Sequence, residues 1–533
     1  MKRWNGWGDE STSMALPSSA DVFLQQTVGA GNLLTDILLA DAVNGVPSSK
    51  LEANCHPLIS INAEQRLRHA RGHSLPDYIA MRTGDIKHFP DGVCFPENRQ
   101  QVKELLQYAK QYNIELIPYG GGTSVAGHIN PKADSSRAIV TVDMTHMNQL
   151  LDLDEESHIA TFGAGTLGPM VEAQLRAKGY TLGHFPQSFE LSSIGGWIAT
   201  RSSGQQSLRY GRIEQLFAGG NIETFSGSLD MPAFPASSAG PDLRELILGS
   251  EGRFGILTEV KVRVTKLSEL EQFSVLFFPS WQQAKSFCRM IVQSHIQLSM
   301  LRVSNGVETQ TQLKLAGHEK AIYWLEKYLK FRGCAQEKCM LTFGITGSNK
   351  QIGQVKTLLK PWINKYQGIS AGALLGKKWQ ENRFRSPYLR DALWQKGYVV
   401  DTLETATNWS NVDNLMQKIE QTLSSTLTAS EQVHVFTHLS HVYKQGCSLY
   451  TTYVFKNGND HHETLAKWQQ LKHAASEVIV HHGGTISHQH GVGKDHAPYL
   501  AIEKGEQGMD LLHSLSTHFD EKKLLNPGTL LND

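Results

Sequence analysis

Apolar residues return at helical spacing after Asn98, where Val102, Leu105, Leu106 and Ala109 fall at i, i+3, i+4 and i+7. Asn98 has a side chain suited to cap that helix, and Gln101 stands where the partner of a capping box belongs. Short strands are predicted at 114–117, 138–143 and 159–163. The clearest strand covers 256–264. There Ile256, Thr258, Val260, Val262 and Val264 alternate with Glu259, Lys261 and Arg263, one face buried and one wet. Further on, Leu471, Ala475, Val478 and Ile479 share a helix face, and Gly483-Gly484 stand where a helix stops with a C′ glycine. Helices, strands and glycine turns interleave from about residue 81 to 265, the pattern of an α+β domain. Residues 1–80 read as irregular or helical, and 270–430 as longer helices with few glycine motifs.

Length and charge narrow the class. The chain has 533 residues, enough for about three domains, and a core that needs neither disulfides nor a structural metal. Its 51 basic and 51 acidic side chains leave no basic face for wrapping nucleic acid. Six scattered cysteines suit reduced, cytosolic thiols rather than a disulfide framework. No run approaches the ~18 apolar residues of a spanning helix. No apolar segment follows Lys2-Arg3, so the expectation is a cytoplasmic protein without a secretory leader.

Three glycine and hydroxyl segments carry the candidate chemistry. Pro118-Tyr119-Gly120-Gly121-Gly122-Thr123-Ser124-Val125 follows a predicted strand, and glycines there let main-chain N–H groups converge on an anion. It is neither a Walker loop nor a G-x-G-x-x-G turn. The second segment runs through Pro186, Ser188, Ser192, Gly195, Gly196, Ile198, Ala199, Thr200, Ser203 and Gly204. The third, with Glu251, Gly255 and Ile256, directly precedes the best strand. Together they resemble the FAD-binding (PCMH-type) domain of the vanillyl-alcohol-oxidase flavoproteins. The resemblance implies that the glycine triplet holds the FAD pyrophosphate and that the other two segments line the cofactor. Some of those flavoproteins attach FAD through a histidine at the position of Thr123, so a non-covalent flavin is expected here.

The second half narrows the family. Ser487-His488-Gln489-His490-Gly491-Val492-Gly493-Lys494 resembles the Ser-His-His-His-Gly-Val-Gly-Lys loop of the alkyldihydroxyacetonephosphate synthases. Similar likenesses run through Met1–Gly8, Leu389-Arg390-Asp391, Leu403–Trp409 and Tyr443–Tyr450. The resemblance puts Tyr450 on a catalytic tyrosine, Arg390 on a substrate-anchoring arginine, and Arg302 near the flavin. His488 and His490 fall on the outer two loop histidines. The middle one is Gln489, which hydrogen-bonds but takes no proton at neutral pH, so a base is lost there. Taken alone, Tyr450 also fits core packing and Arg390 a surface charge.

The implied reaction exchanges the acyl chain of acyl-dihydroxyacetone phosphate for a fatty alcohol through an adduct on the flavin N5. It asks for an arginine fork on the phosphate, and for a tyrosinate or imidazole to remove a C1 proton. Two alternatives stay open: an FAD-linked dehydrogenase or oxidase of a 2-hydroxy acid or small alcohol, and a flavoprotein without catalysis. The expected organisation is an N-terminal segment at 1–80, an FAD domain at 81–267, an α+β substrate cap at 268–470, and a C-terminal segment at 471–533 returning to the flavin. No metal is expected, because His438-x-x-His441 lacks the partner motifs of the hydroxy-acid dehydrogenases. A lipid substrate would imply peripheral membrane contact. A homodimer is left open.

Overall fold

Asn98 accepts the Gln101 N–H at 3.1 Å and starts the helix Arg99–Tyr112. The reciprocal bond differs from a capping box, since the Gln101 side chain accepts from the N–H of Glu97 at 2.7 Å rather than from that of Asn98. This computed structural model describes residues 2–133 and 135–532. The helix buries Val102, Leu105, Leu106 and Ala109 with Cys94, Leu116 and Val142 of a four-stranded sheet ordered Ile59–Ser60, Gly92–Cys94, Ile139–Asp143, Glu115–Tyr119. Beside it stands a five-stranded antiparallel sheet in which Ile256–Arg263 is the middle strand, its Val260 and Val262 buried. The predicted strands at 138–143 and 159–163 are present as Ile139–Asp143 and Ile159–Gly163.

The cap is α+β, as expected, but the stretch 270–430 that reads as longer helices is built on a seven-stranded antiparallel sheet. Its order is Ile369–Ser370, Leu270–Phe278, Cys339–Gly347, Met300–Ser304, His434–Val442, Gly446–Lys456, Tyr398–Asn408. Most of these strands are covered on both faces; eight of the nine residues of Cys339–Gly347 are buried. Without a wet face there is no alternation to read. One face of the sheet packs Leu301, Val303, Leu439 and Leu449 against helices such as Trp281–Gln293 and Val412–Ser425. The opposite face holds the alternate residues Met300, Arg302, Val400, Thr402, Phe436, His438, Tyr450 and Thr452, which line a cavity.

Two chain segments tie the halves together. Helix His461–His481 ends at Gly483, whose φ of +76° takes the expected C′ geometry, and Asn526 donates to the carbonyls of His128 and Glu251 at 3.0 and 2.8 Å. At the other end, Lys2 donates to the Gly121 carbonyl at 2.7 Å, and Arg3 pairs with Asp391 at 2.9 Å. Among the described residues, no helix is long and apolar enough to cross a membrane.

Candidate functional site

The glycine triplet closes one end of the cavity, whose volume is about 500 Å³. A Cβ on Gly120 would meet Ser193 Oγ at 2.1 Å, one on Gly121 would meet the Leu191 carbonyl at 1.5 Å, and Gly122 has φ +72°. Glycine is therefore required where this loop threads against the second segment. Among the described residues, no main-chain N–H of 120–125 donates to a main-chain carbonyl, which leaves a row of donors for an anion. Pro118, Thr123, Ser124, Val125, Pro186, Ser188, Ser192, Gly195, Gly196, Ala199, Thr200, Ser203, Glu251, Gly255 and Ile256 join the wall. A pyrophosphate and an extended ring system fit this donor-rich, glycine-walled slot. Two expected cofactor residues stay away from it. Ile198 is fully buried in the core of the five-stranded sheet, and Gly204 packs against the main chain of Phe185. Each falls on the inward turn of a segment whose neighbours face the cavity.

Strand register assembles the polar centre. His438 and Glu404 both pair with Tyr450, one on each side, because Gly446–Lys456 lies between His434–Val442 and Tyr398–Asn408. The His438 ring stacks on Tyr450, centroids 4.7 Å apart at 21°. Its Nδ1 lies 3.1 Å from Glu308 Oε2, and Arg302 donates to Glu308 Oε1 at 2.6 Å. Burial opposes charge on Glu308, but His438 and Arg302 outweigh it and hold the carboxyl at about 2. Tyr450 donates to Thr402 Oγ1 at 3.2 Å. Burial pushes its phenol up to about 12, which favours the protonated hydroxyl, a donor, over the tyrosinate of the two expected alternatives. Arg390 lines the cavity while donating to the His73 carbonyl at 2.6 Å and pairing with Asp401 at 3.2 Å.

The histidine loop divides. Gln489 and His490 face the cavity, and Gln489 donates to the buried Glu404 carboxylate. His488 does not line it, contrary to its place among the expected catalytic groups. Its Nε2 is held by Arg212 at 3.0 Å and Tyr443 at 2.6 Å, and its Nδ1 sits 3.3 Å from Glu404. The main chain explains this turn, since the His488 N–H donates to the Glu404 carbonyl and sends successive side chains to opposite sides. Burial works against charge on Glu404, yet His488 beside it holds that carboxyl well below the usual range. Burial pushes His438, His441 and His490 below the ordinary imidazole value, which favours their neutral forms. Glu404, His441 and His488 each offer a ligand atom within 4.8 Å of the others, but the Arg212 guanidinium already supplies a fixed positive charge there.

Sequence reading missed Glu308, His438, His441, Glu404 and Arg212 as site residues. The alternation of Phe436, His438 and Ser440 with Leu439 was the available signal for His438. Met300, Leu315, Trp379, Leu389, Val400 and Phe436 give the wall an apolar part.

Comparison with known proteins identifies the fold and the cofactor. Residues 90–229 match the family model "FAD binding domain", and residues 267–530 match "FAD linked oxidases, C-terminal domain". The chain is 32% identical to the alkyldihydroxyacetonephosphate synthase of Dictyostelium discoideum, over 87% of this chain and 77% of that protein. It is 26% identical to the synthase of Caenorhabditis elegans, over 99% of this chain and 95% of that one. A solved alkyldihydroxyacetonephosphate synthase superposes with a TM-score of 0.85 at 28% identity, covering 99% of this chain and 98% of the other. p-Cresol methylhydroxylase shares the fold, with a TM-score of 0.70 at 13% identity.

Proposed function

The chain belongs to the alkyldihydroxyacetonephosphate synthase family of FAD-linked enzymes, and from that premise we propose that it exchanges the acyl chain of an acyl-dihydroxyacetone phosphate for a fatty alcohol. The observation that carries this reading is one cavity joining the glycine cradle, two arginines, and a wall from Met300 to Trp379 able to take an alkyl chain. A small hydroxy acid would leave that apolar wall unused.

The chain's residues divide the work. The loop at 120–125 and the segments around Ser192 and Glu251 hold FAD without a covalent bond. Bound FAD supplies the nucleophile that takes up C1 of the substrate. Arg390 offers a planar fork to the substrate phosphate, with the Asp401 carboxylate and the His73 carbonyl fixing its orientation. Arg302 adds positive charge where negative charge develops. Tyr450 donates a hydrogen bond to the departing carboxylate, and the neutral imidazoles of the wall serve proton transfer. The apolar wall excludes water, which protects the exchange from hydrolysis.

The lipid chains are presented at a membrane face, and the helix Glu319–Phe331 is the surface that meets it. Leu325 and Leu329 turn inward, while Trp324, Tyr328 and Phe331 form the opposite stripe with Lys320 and Lys327. Trp324 is 67% exposed and Phe331 86%. Aromatic rings flanked by lysines suit the headgroup region of an anionic bilayer. Leu315, four residues before this helix, lines the cavity.

The test is an anaerobic incubation with an acyl-dihydroxyacetone phosphate and a labelled fatty alcohol, with no electron acceptor. Alkyl product and released fatty acid in equal amounts are expected. Bleaching of the flavin by a 2-hydroxy acid, without chain exchange, overturns the reading. Trp324→Ala with Phe331→Ser is expected to abolish sedimentation with vesicles containing phosphatidylserine. Full vesicle binding by that variant rejects the helix as the membrane surface.

A further inference from the structure

We propose that His438 is a catalytic hydrogen-bond donor, whose Nε2–H holds the C2 oxygen of the substrate as the C1 proton leaves and negative charge gathers on that oxygen. The inference rests on the synthase reading and adds to it an electrophile outside the histidine loop.

One guanidinium nitrogen sets the tautomer. Arg302 Nη2 carries two hydrogens and has two acceptors, Glu308 Oε1 at 2.6 Å and His438 Nδ1 at 3.2 Å. A guanidinium only donates, so Nδ1 is the acceptor of that bond. Glu308 Oε2 makes no hydrogen bond, and so claims no proton from Nδ1. The one ring proton of a neutral imidazole is then on Nε2. Burial and the facing Arg302 charge favour that neutral form, against the pull of Glu308. Among the described residues Nε2 meets no acceptor, and the ring lines the cavity. A buried donor without a protein partner is thus turned towards the substrate.

The chemistry selects the C2 oxygen. The substrate phosphate takes the Arg390 fork, and one neutral donor adds little to a dianion. Loss of the C1 proton of an acyl-dihydroxyacetone phosphate instead builds charge on the oxygen of the adjacent ketone, which a preorganised donor stabilises as it forms. Tyr450 serves the carboxylate that leaves C1, and its ring stacks on His438 with centroids 4.7 Å apart. Two donors on stacked rings suit oxygens on adjacent carbons. An imidazole held neutral polarises a ketone without giving up its proton. The Arg302 bond at Nδ1 fixes the ring and strengthens Nε2–H as a donor, so Arg302 is also the positioning residue of His438.

The step balances. The His490 imidazole, which also lines the cavity, takes the C1 proton. The C1–H electron pair forms the C1–C2 double bond, and the π pair of the C2 ketone passes to its oxygen. Nε2–H donates to that oxygen and keeps its proton throughout. Reversal returns a proton to C1, so deuterium enters C1 in D2O with no net redox change.

The experiment uses the FAD-loaded enzyme and acyl-dihydroxyacetone phosphate labelled with 13C at C2. Infrared difference spectra report the ketone stretch of the bound substrate, and proton NMR in D2O reports C1 exchange. In the wild-type enzyme the ketone stretch is expected below its value in water. His438→Phe keeps the ring stack and deletes both nitrogens, and His438→Leu is the second variant should the first fail to fold. Either is expected to return the stretch to its value in water and to slow C1 exchange by ~10²–10³, with FAD content and flavin spectrum unchanged. His438→Gln retains a donor and is expected to recover part of both, with the pH profile of exchange kept, because the group that titrates lies elsewhere. A pH profile that loses its inflection in His438→Gln makes His438 a base and overturns the proposal. A lowered stretch and wild-type exchange in His438→Phe or His438→Leu also overturn it, as does a wild-type stretch that does not move while chains are exchanged; the synthase reading then stands. Absence of both chain exchange and C1 exchange in the wild-type enzyme overturns that reading as well.

Discussion

Arg390 shows how much one side chain's partners say about its role. Its guanidinium donates to the His73 carbonyl at 2.6 Å, pairs with Asp401 at 3.2 Å, and lies 5.6 Å from the Tyr78 ring. A lysine keeps the charge but cannot make both bonds and still face a phosphate. Arg390→Lys is therefore expected to raise KM for the phosphorylated substrate by about tenfold or more while FAD content is unchanged, read by steady-state kinetics beside flavin absorbance. Unchanged KM would make Arg390 a structural strut between the Tyr388–Trp394 helix and the N-terminal half. Arg390, Tyr450 and Gln489 are legible in sequence because each sits in a local run that carries a family likeness. Glu308 and His438 are not, because their meeting depends on a helix start and a strand that are distant in the chain. His438-x-x-His441 reads from sequence only as a metal question. The strand period then turns His438 to the cavity beside Tyr450, and His441 meets Ser203 and Ser207.

Whole elements follow the same rule. The Ile256–Arg263 strand is legible because one face is wet, and the Arg99–Tyr112 helix because its apolar stripe is narrow and capped. The cap sheet is hidden because burial on both faces removes the period on which strand recognition depends. The glycine loop is the element whose sequence and structure agree most tightly. Its triplet looks like an anion cradle before any fold is known, and the Leu191 carbonyl then accounts for the middle glycine. Gly121→Ala would press a methyl group to 1.5 Å from that carbonyl, so the loop must move away from the second segment. The expected outcome is purified protein with little or no bound FAD and a fold otherwise kept, measured by flavin absorbance against protein together with circular dichroism. Full FAD content in this variant would mean that the cofactor does not depend on this loop. Gly179→Ala is a fitting control for a positive-φ glycine: its φ is +82°, but a Cβ there meets nothing within 4 Å and it lies outside the cavity wall.

At the scale of the whole molecule, the many buried imidazoles link stability to pH. Burial holds His73, His184 and His441 at about 3 and His434 at about 4, whereas in the unfolded chain each returns to 6.5. A histidine with a depressed folded value resists protonation only while the chain is folded. Below pH 6.5 the unfolded state takes up protons that the native state refuses, so stability falls with acidification. Glu308, at about 2, acts in the same direction at lower pH, because its folded value is depressed and its contribution is lost as carboxylates protonate. Asp495 opposes them: burial raises it to about 6, so the native state binds a proton there first and gains stability between pH 6 and its ordinary value of 3.8. Burial raises Glu115, Glu420 and Asp520 in the same direction as Asp495, and against them stand four strongly depressed imidazoles, each worth about 1.4 kcal/mol per pH unit below its unfolded value. The expected result is a melting temperature that is flat from pH 8 to 7 and falls progressively from pH 6.5 to 5, measured by scanning calorimetry or intrinsic fluorescence on the FAD-loaded protein. His184→Asn removes one such group, close to Ser202 and the Trp197 ring, and is expected to shallow the acid slope while lowering stability at neutral pH. A melting temperature independent of pH between 7 and 5 would mean that these imidazoles take up protons in the native state.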